Sequence, residues 1–196
     1  EEKEIVADLF MSFGTPDGMF PAGYVEADED WSEFTPKIGL DYRVNDDVLL
    51  YGSYSEGFRS GGFNGRNSSP ADIGPYDPEF VEQFELGMKG DFLDRRLRLN
   101  LAAFFTDYKD KQEEIILPDG FGGTLTVVEN ASTADIWGLE GELIWVASEN
   151  LIINANFGYL DAEYDSYVAD INGDGVETDN SDLIMRRTPE WTGGIS

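Results

Sequence analysis

The stretch from Phe34 to Phe63 constrains the fold more than any other part of the chain. Ile38, Leu40 and Tyr42 take alternate positions, and Lys37, Asp41 and Arg43 fill alternate positions of the opposite register. Period two places the first set on one face of a β-strand and the second set on the other. Asn45-Asp46-Asp47 supplies turn residues, and a second alternating run follows over about 48–57. That run ends in a tip rich in Gly, Arg and aromatic residues, Ser55 to Asn64.

The same plan recurs along the chain. Strands are expected at about 35–44, 48–57, 79–92 and from 97 to about 106. Others are expected at 124–146, interrupted near Asn130 to Ala134, at 151–164, and from near Arg186 to Ser196. Leu93-Asp94-Arg95 and Ala147-Ser148-Glu149-Asn150 are short turns like the first. The intervening stretches, including a mobile one from Tyr108 to about Gly123 and an acidic one from Asp161 to about Ile184, are expected as loops of about 15 to 25 residues. Short connections therefore fall at one end and long ones at the other. A sandwich with crossover connections seldom segregates them so cleanly. The expected class is all-β, an antiparallel up-and-down meander.

Residues 1–33 hold ten acidic residues against one Lys, with Gly14, Pro16, Asp17-Gly18, Pro21 and Gly23 as punctuation. They read as an acidic surface loop, with the end of a strand at Glu1 to Val6. The chain does not begin with Met, carries no apolar leader and stops inside an alternating run, so it reads as an internal piece of a longer protein.

Histidine and cysteine are absent, which removes imidazole catalysis, the commonest transition-metal ligand and any disulfide framework from this chain. No catalytic set is expected. The net charge of −27 repels nucleic acid. No apolar run is long enough for a membrane helix, but a β-barrel crosses with tilted strands of about ten residues.

The polar face carries charge in mid-strand: Lys37, Asp41, Arg43, Glu85, Lys89, Arg98, Glu140 and Glu142. The apolar face carries aromatics toward strand ends, among them Tyr42, Phe105, Trp137, Trp145, Tyr159 and Trp191. A soluble sheet with one buried face would show the same alternation. Runs of about 12 to 15 residues exceed the usual five or six of soluble strands and favour a membrane wall in contact with outer-membrane lipid. Seven strands alone leave two open edges that lipid does not tolerate, so further strands are expected from a parent chain.

Several segments resemble the barrel of TonB-dependent outer-membrane receptors. They are Trp31 to Leu40, Tyr51 to Asn64, Tyr76-Asp77-Pro78-Glu79 into Phe84 to Lys89, Leu97 to Asn100 into Phe104 to Tyr108, Ile136 to Glu142, and Thr188-Pro189-Glu190-Trp191. The resemblance covers about 31–196. It implies a barrel of about 22 strands around a plug, short turns in the periplasm and long loops outside. It also implies residence in the bacterial outer membrane, with TonB-energised import of a small nutrient such as a siderophore–iron complex, cobalamin or a saccharide. The partners implied are TonB and the plug domain of the same parent chain. A passive outer-membrane porin and a soluble β-rich carbohydrate-binding module are the rival readings.

Glu56, Arg59 and Asn64 in the Gly-rich tip, with Glu85, Arg98, Glu140 and Glu142 on the strands, are the candidates for a lumen lining or a contact with the plug. A plain structural contact is the expected role of the tip. Asp170, Asn172 and Asp174 spell the start of a calcium loop, D-x-N-x-D-G, but the twelfth position is Ser181 rather than Glu. Thr178, Asp179 and Asp182, the last one position beyond Ser181, are the candidates to close a calcium shell. No other cofactor is expected.

Overall fold

A computed structural model of the chain describes residues 2–12, 19–64, 74–118 and 122–196. The expected punctuation at Gly14, Pro16 and Asp17-Gly18, and the middle of the loop between Phe58 and Asp77, lie outside them. Every regular element among the described residues is a β-strand.

Two strands, β1 (Glu2–Ser12) and β2 (Met19–Asp30), pair as an antiparallel hairpin. This corrects the reading of 1–33 as a loop. The ladder shifts register between Leu9 and Phe10, where Pro21 takes part in the pairing. Proline has no N–H to give a regular ladder, and an irregularity at that point lets the pairing continue.

The wall is one sheet. It contains β3 (Lys37–Arg43), β4 (Val48–Arg59), β7 (Glu79–Phe92), β8 (Leu97–Pro118), β9 (Thr124–Ser148) and β10 (Leu151–Ala169), each antiparallel to the next. The lower part of β10 also pairs with β12 (Trp191–Ile195), and its upper end pairs with the two residues of β11 (Thr178–Asp179). A separate two-residue pair, β5 (Gly62–Phe63) with β6 (Pro75–Tyr76), lies between β4 and β7. All seven wall strands expected from sequence are present.

Two strands run well beyond their expected ends. The stretch from Tyr108, expected as mobile, continues β8 to Pro118 against Thr124 of β9, so five residues join this pair. Strand β10 reaches Ala169 rather than ending near Tyr164. The interruption expected near Asn130 to Ala134 is present as two irregularities in the β8–β9 ladder: residues 109–110 of β8 stand against Thr133, and Ala131 of β9 is passed over between the Lys111–Ser132 and Gln112–Asn130 pairs. Asp110, in the first of these, has φ of 51°.

The register separates an apolar face from a charged one along the wall. Across the sheet, Leu40, Gly52, Leu86, Ala103, Leu139, Tyr159 and Trp191 fall in one row. Behind them, one residue over, lie Asp41, Tyr51, Gly87, Ala102, Glu140, Gly158 and Thr192. The apolar face is bare: Leu40 is 74 % exposed, Leu86 71 % and Trp137 58 %. Each large apolar side chain left in water forgoes about 1.5–3 kcal/mol. The buried hydrophobic residues among those described are Ile115, Ala134, Tyr164, Tyr167, Ala169 and Met185, all in the upper extension. Wall strands with no core beneath them need lipid as their apolar partner.

Aromatic residues bound this face. At the upper limit Tyr54, Phe84, Phe105 and Trp137 form a row, with ring centroids 4.8 Å apart for Tyr54–Phe84 and 4.5 Å for Phe105–Trp137. Trp145 lies eight residues below Trp137 on β9. At about 3.3 Å per residue and a tilt of about 40° this spans roughly 20 Å of height, close to the ~25 Å apolar band of such barrels.

The short turns brace one another. Leu93, Asp94 and Arg95 all have positive φ, of 55°, 55° and 64°. Arg95 Nε lies 3.1 Å from Asp47 of the preceding turn, and the Arg96 guanidinium donates to the carbonyls of Val146 and Ala147 in the next.

Candidate functional site

Above the aromatic row, β8, β9 and β10 project past the membrane and carry the long connections. The bulge in β8 there is the anchor for the Gly-rich tip. Gln112 is buried, and its Nε2 donates to the carbonyls of Ser60 and Asp77, both at 3.0 Å. Its backbone N–H donates to Glu79 at 2.8 Å, and Glu79 also lies 3.7 Å from Arg59. Asn130 Nδ2 donates to the carbonyls of Asp77 at 2.8 Å and Asp110 at 2.7 Å, while its Oδ1 accepts from the Asp77 N–H at 2.7 Å. Asn64 binds both backbone groups of Val128, at 3.0 and 2.8 Å. These amides satisfy backbone groups that leave the ladder at the bulge and tip.

Gly61 shows why this tip is Gly-rich. A Cβ there would overlap the Tyr76 carbonyl oxygen and the Trp31 ring. The Gly61 carbonyl accepts from Lys3 Nζ at 2.6 Å, and Lys3 lies over the Trp31 ring, 5.8 Å from its centroid. The base of the N-terminal hairpin is thereby fixed to the tip.

The sequence-derived candidates do not form one site. Glu85, Arg98, Glu140 and Glu142 lie on the charged face within the wall. Arg98 binds Asp91 through two bonds of 2.8 and 3.0 Å, and Asn100 Nδ2 donates to Glu142 at 3.2 Å. Gln83 Nε2 donates to Glu85 at 3.4 Å. Arg59 and Asn64 lie at the rim. Glu56 departs from expectation. It has the parity of Leu50, Gly52 and Tyr54, which places it on the outward face above the aromatic row, where it accepts from the Tyr54 hydroxyl.

The expected calcium loop is closed by its own backbone. The Asp170 carboxylate accepts from the N–H groups of Asn172, Gly173, Asp174 and Gly175, at 2.7 to 3.3 Å. Gly173 and Gly175 have φ of 77° and 82°. Burial pushes the Asp170 carboxyl up, but the four donors together hold it below the usual carboxylate value. Among the described residues, Asp170, Asp174 and Asp182 do not make a group of acids able to hold a metal ion.

This loop, the tip and the upper strands enclose a trough of about 560 Å³, lined by Asn64, Tyr76, Leu117, Val128, Glu129 and Asp170 among others. Burial raises the Glu129 carboxyl above its ordinary value, and the charges of Glu177 and Asp170 add to this. Beside it, on the inward parity, the buried cluster around Tyr164 and Tyr167 is covered by Met185 of the last long connection. Lys111 and Glu113 are paired at its edge, and Ser132 Oγ donates to Glu113 at 3.0 Å. Gln112 and Asn130 carry this rim, yet sequence reading missed both. The one signal was the break suspected near Asn130.

A meander with a bare apolar face, a charged opposite face and tall strands at one end defines a segment of a transmembrane β-barrel. The chain belongs to the family described as TonB dependent receptor-like, beta-barrel, whose model matches residues 11–196, and with it to the bacterial outer membrane. It is 31 % identical over 129 residues to the metal-pseudopaline receptor CntO of Pseudomonas aeruginosa, covering 66 % of this chain and 17 % of that one. It is 30 % identical over 106 residues to the ferric-pyoverdine 358 receptor of Pseudomonas putida, covering 52 % and 12 %. Among solved structures, the ferric yersiniabactin uptake receptor FyuA of Yersinia pestis shares the fold, with a TM-score of 0.61 at 21 % identity over 92 % of this chain and 24 % of that one. The chain thus spans 10–17 % of the length of the curated relatives it matches.

Proposed function

We propose that the chain forms part of the wall and extracellular rim of a receptor that imports a metal–siderophore complex with energy supplied through TonB. The observation that carries this reading is the family match over 11–196, together with relatives named as receptors for ferric pyoverdine and metal-pseudopaline. The charged face lines the lumen and meets the plug. The two open edges of the sheet, at β3 and beside β10 and β12, are continued by further strands of the same barrel. The tip anchored by Gln112, Asn130 and Asn64 contributes to the mouth. A net charge of −27, with Glu129 and Asp170 in the trough, favours a neutral or cationic complex over an anionic one.

The test is uptake of radiolabelled iron and of other transition metals, each bound to a panel of siderophores, by cells with and without the intact gene. Loss of uptake of at least one complex on deletion, and equal loss in a TonB-deficient strain, is the expected result. Uptake that survives loss of TonB identifies a passive pore instead. Growth defects confined to a saccharide source overturn the siderophore reading.

A further inference from the structure

Arg186 and Arg187 stand apart from the other basic residues of the extracellular part. Among the described residues there, Arg59 meets Glu79, Lys109 meets Glu82 and Asp107, and Lys111 meets Glu113, while Lys3 donates to the Gly61 carbonyl. Neither Arg186 nor Arg187 forms an ion pair or a side-chain hydrogen bond with a described residue, in a chain of 40 acidic residues against 13 basic ones. Their backbone is nevertheless fixed. Met185 is buried, and its carbonyl accepts from Thr188 Oγ1 at 2.8 Å. Arg187, inside this turn, has φ of 63°, a left-handed conformation that a long side chain adopts only at a cost. The turn presents two adjacent guanidiniums with no acid of the described chain to receive them.

The opposite charge lies on another flank of the same cluster. Met185 packs with Ile115, Tyr164, Tyr167 and Ala169, and Leu117, which packs against them, also lines the trough that holds Glu129 and Asp170. Glu129 stands directly opposite Glu113 in the β8–β9 ladder. Lys111, Ser132 and Tyr164 satisfy Glu113, whereas Glu129 has no ion pair among the described residues. Tyr167 feels both flanks. Burial, first, and the charge of Glu113 push its hydroxyl up, Arg186 pulls it down, and Glu129 adds to the rise. A guanidinium pair and a carboxylate thus flank one buried cluster that fixes the backbone of both.

We infer that the imported complex is zwitterionic, with a free carboxylate held by Arg186 and Arg187 and an ammonium group held by Glu129. Planar guanidiniums match a carboxylate through paired hydrogen bonds. The net charge of −27 repels a complex that is anionic overall, and the guanidinium pair repels one that is cationic throughout. A neutral complex with opposite charges at its two ends satisfies both. This inference rests on the receptor reading and narrows its substrate class.

The test uses uptake of radiolabelled iron by whole cells, on each chelator that supports import through the intact receptor. Each is compared with its carboxamide, which lacks the anionic end, and with its N-acetyl derivative, which lacks the cationic one. The expected result is a KM for uptake raised about tenfold or more by either change, with the maximal rate retained. R186Q/R187Q is expected to raise KM as much for the carboxylate form and to leave the carboxamide unaffected. R186K/R187K, which keeps the charge, is expected to recover part of the loss. E129Q is expected to act in the same way on the ammonium form alone. Variants are first checked for heat-modifiable migration, and where one does not fold, the chemical series on the unaltered receptor decides alone. Import of a chelator that has no free carboxylate, or equal KM for acid and carboxamide, overturns the inference while the receptor reading stands. Import of no metal complex at all overturns the receptor reading and this inference with it.

Discussion

Asn64 and Val128 are joined by two hydrogen bonds that copy a rung of a β-ladder, 64 residues apart in sequence. The Asn64 side-chain amide acts as a surrogate backbone. It donates to the Val128 carbonyl and accepts from the Val128 N–H, fixing the end of the Gly-rich tip to the upper part of β9.

Removing that amide tests the tip as a unit. Asn64→Ala leaves both backbone groups of Val128 without this partner, at about 1 kcal/mol net per bond. The expected outcome is faster amide exchange in residues 60–64 and 74–79, with unchanged heat-modifiable migration of the barrel. Unchanged exchange there would show that the two bonds do not hold the tip.

Gln112 and Asn130 both donate to the Asp77 carbonyl. Groups that share an acceptor couple, by about 0.5–3 kcal/mol in double-mutant cycles. Gln112→Ala and Asn130→Ala are each expected to destabilise the rim by about 1–3 kcal/mol, and the double variant to fall outside their sum. Denaturant midpoints of the intact receptor give the cycle, and strict additivity would separate the two anchors.

The two faces respond in opposite ways to a buried cation. Leu86→Arg places a guanidinium in lipid between the upper aromatic row and the mid-plane, at an expected cost of about 1–3 kcal/mol, whereas Glu85→Arg, one residue away on the charged face, is expected to be nearly neutral. Folding into lipid vesicles of fixed thickness measures both. Equal costs would remove the assignment of faces.

The Asp170 loop is expected to open on acidification. Because its folded carboxyl value is depressed, its stabilisation is present above the unfolded value of about 3.9 and is lost as pH falls through the folded one. The amide proton resonances of Gly173 and Gly175 should therefore shift with a midpoint below about pH 3.9, and Asp170→Asn should remove the transition. A midpoint above that value would contradict the hydrogen-bond account.

The wall was legible because lipid enforces period two. Ile38, Leu40 and Tyr42, or Leu97, Leu99 and Leu101, declare their face wherever hydrocarbon lies on one side and charge on the other. Above Phe105 and Trp137 that demand ends. Lys109 to Glu114 are polar on both faces, so β8 looked like a loop although its backbone ladder continues to Pro118. The N-terminal hairpin was hidden in the same way, behind Gly, Pro and acidic residues that read as punctuation. At the rim, the roles of Gln112 and Asn130 depend on a bulge that brings together residues up to 53 positions apart. The D-x-N-x-D-G spelling was visible, but spelling alone does not show that the Asp170 oxygens accept four backbone N–H groups.

The cross-braced short turns bear on how such a wall assembles. Asp47 meets Arg95, and Arg96 meets Val146 and Ala147, so each turn is tied to the next one along the chain. Every wall strand from β3 to β10 also pairs with its neighbour in sequence, and loop closure for such local pairs is entropically cheap. Each hairpin can find its place on the hairpin that precedes it in the chain. The wall can be laid down in chain order like courses of brick, with Arg95 and Arg96 as mortar.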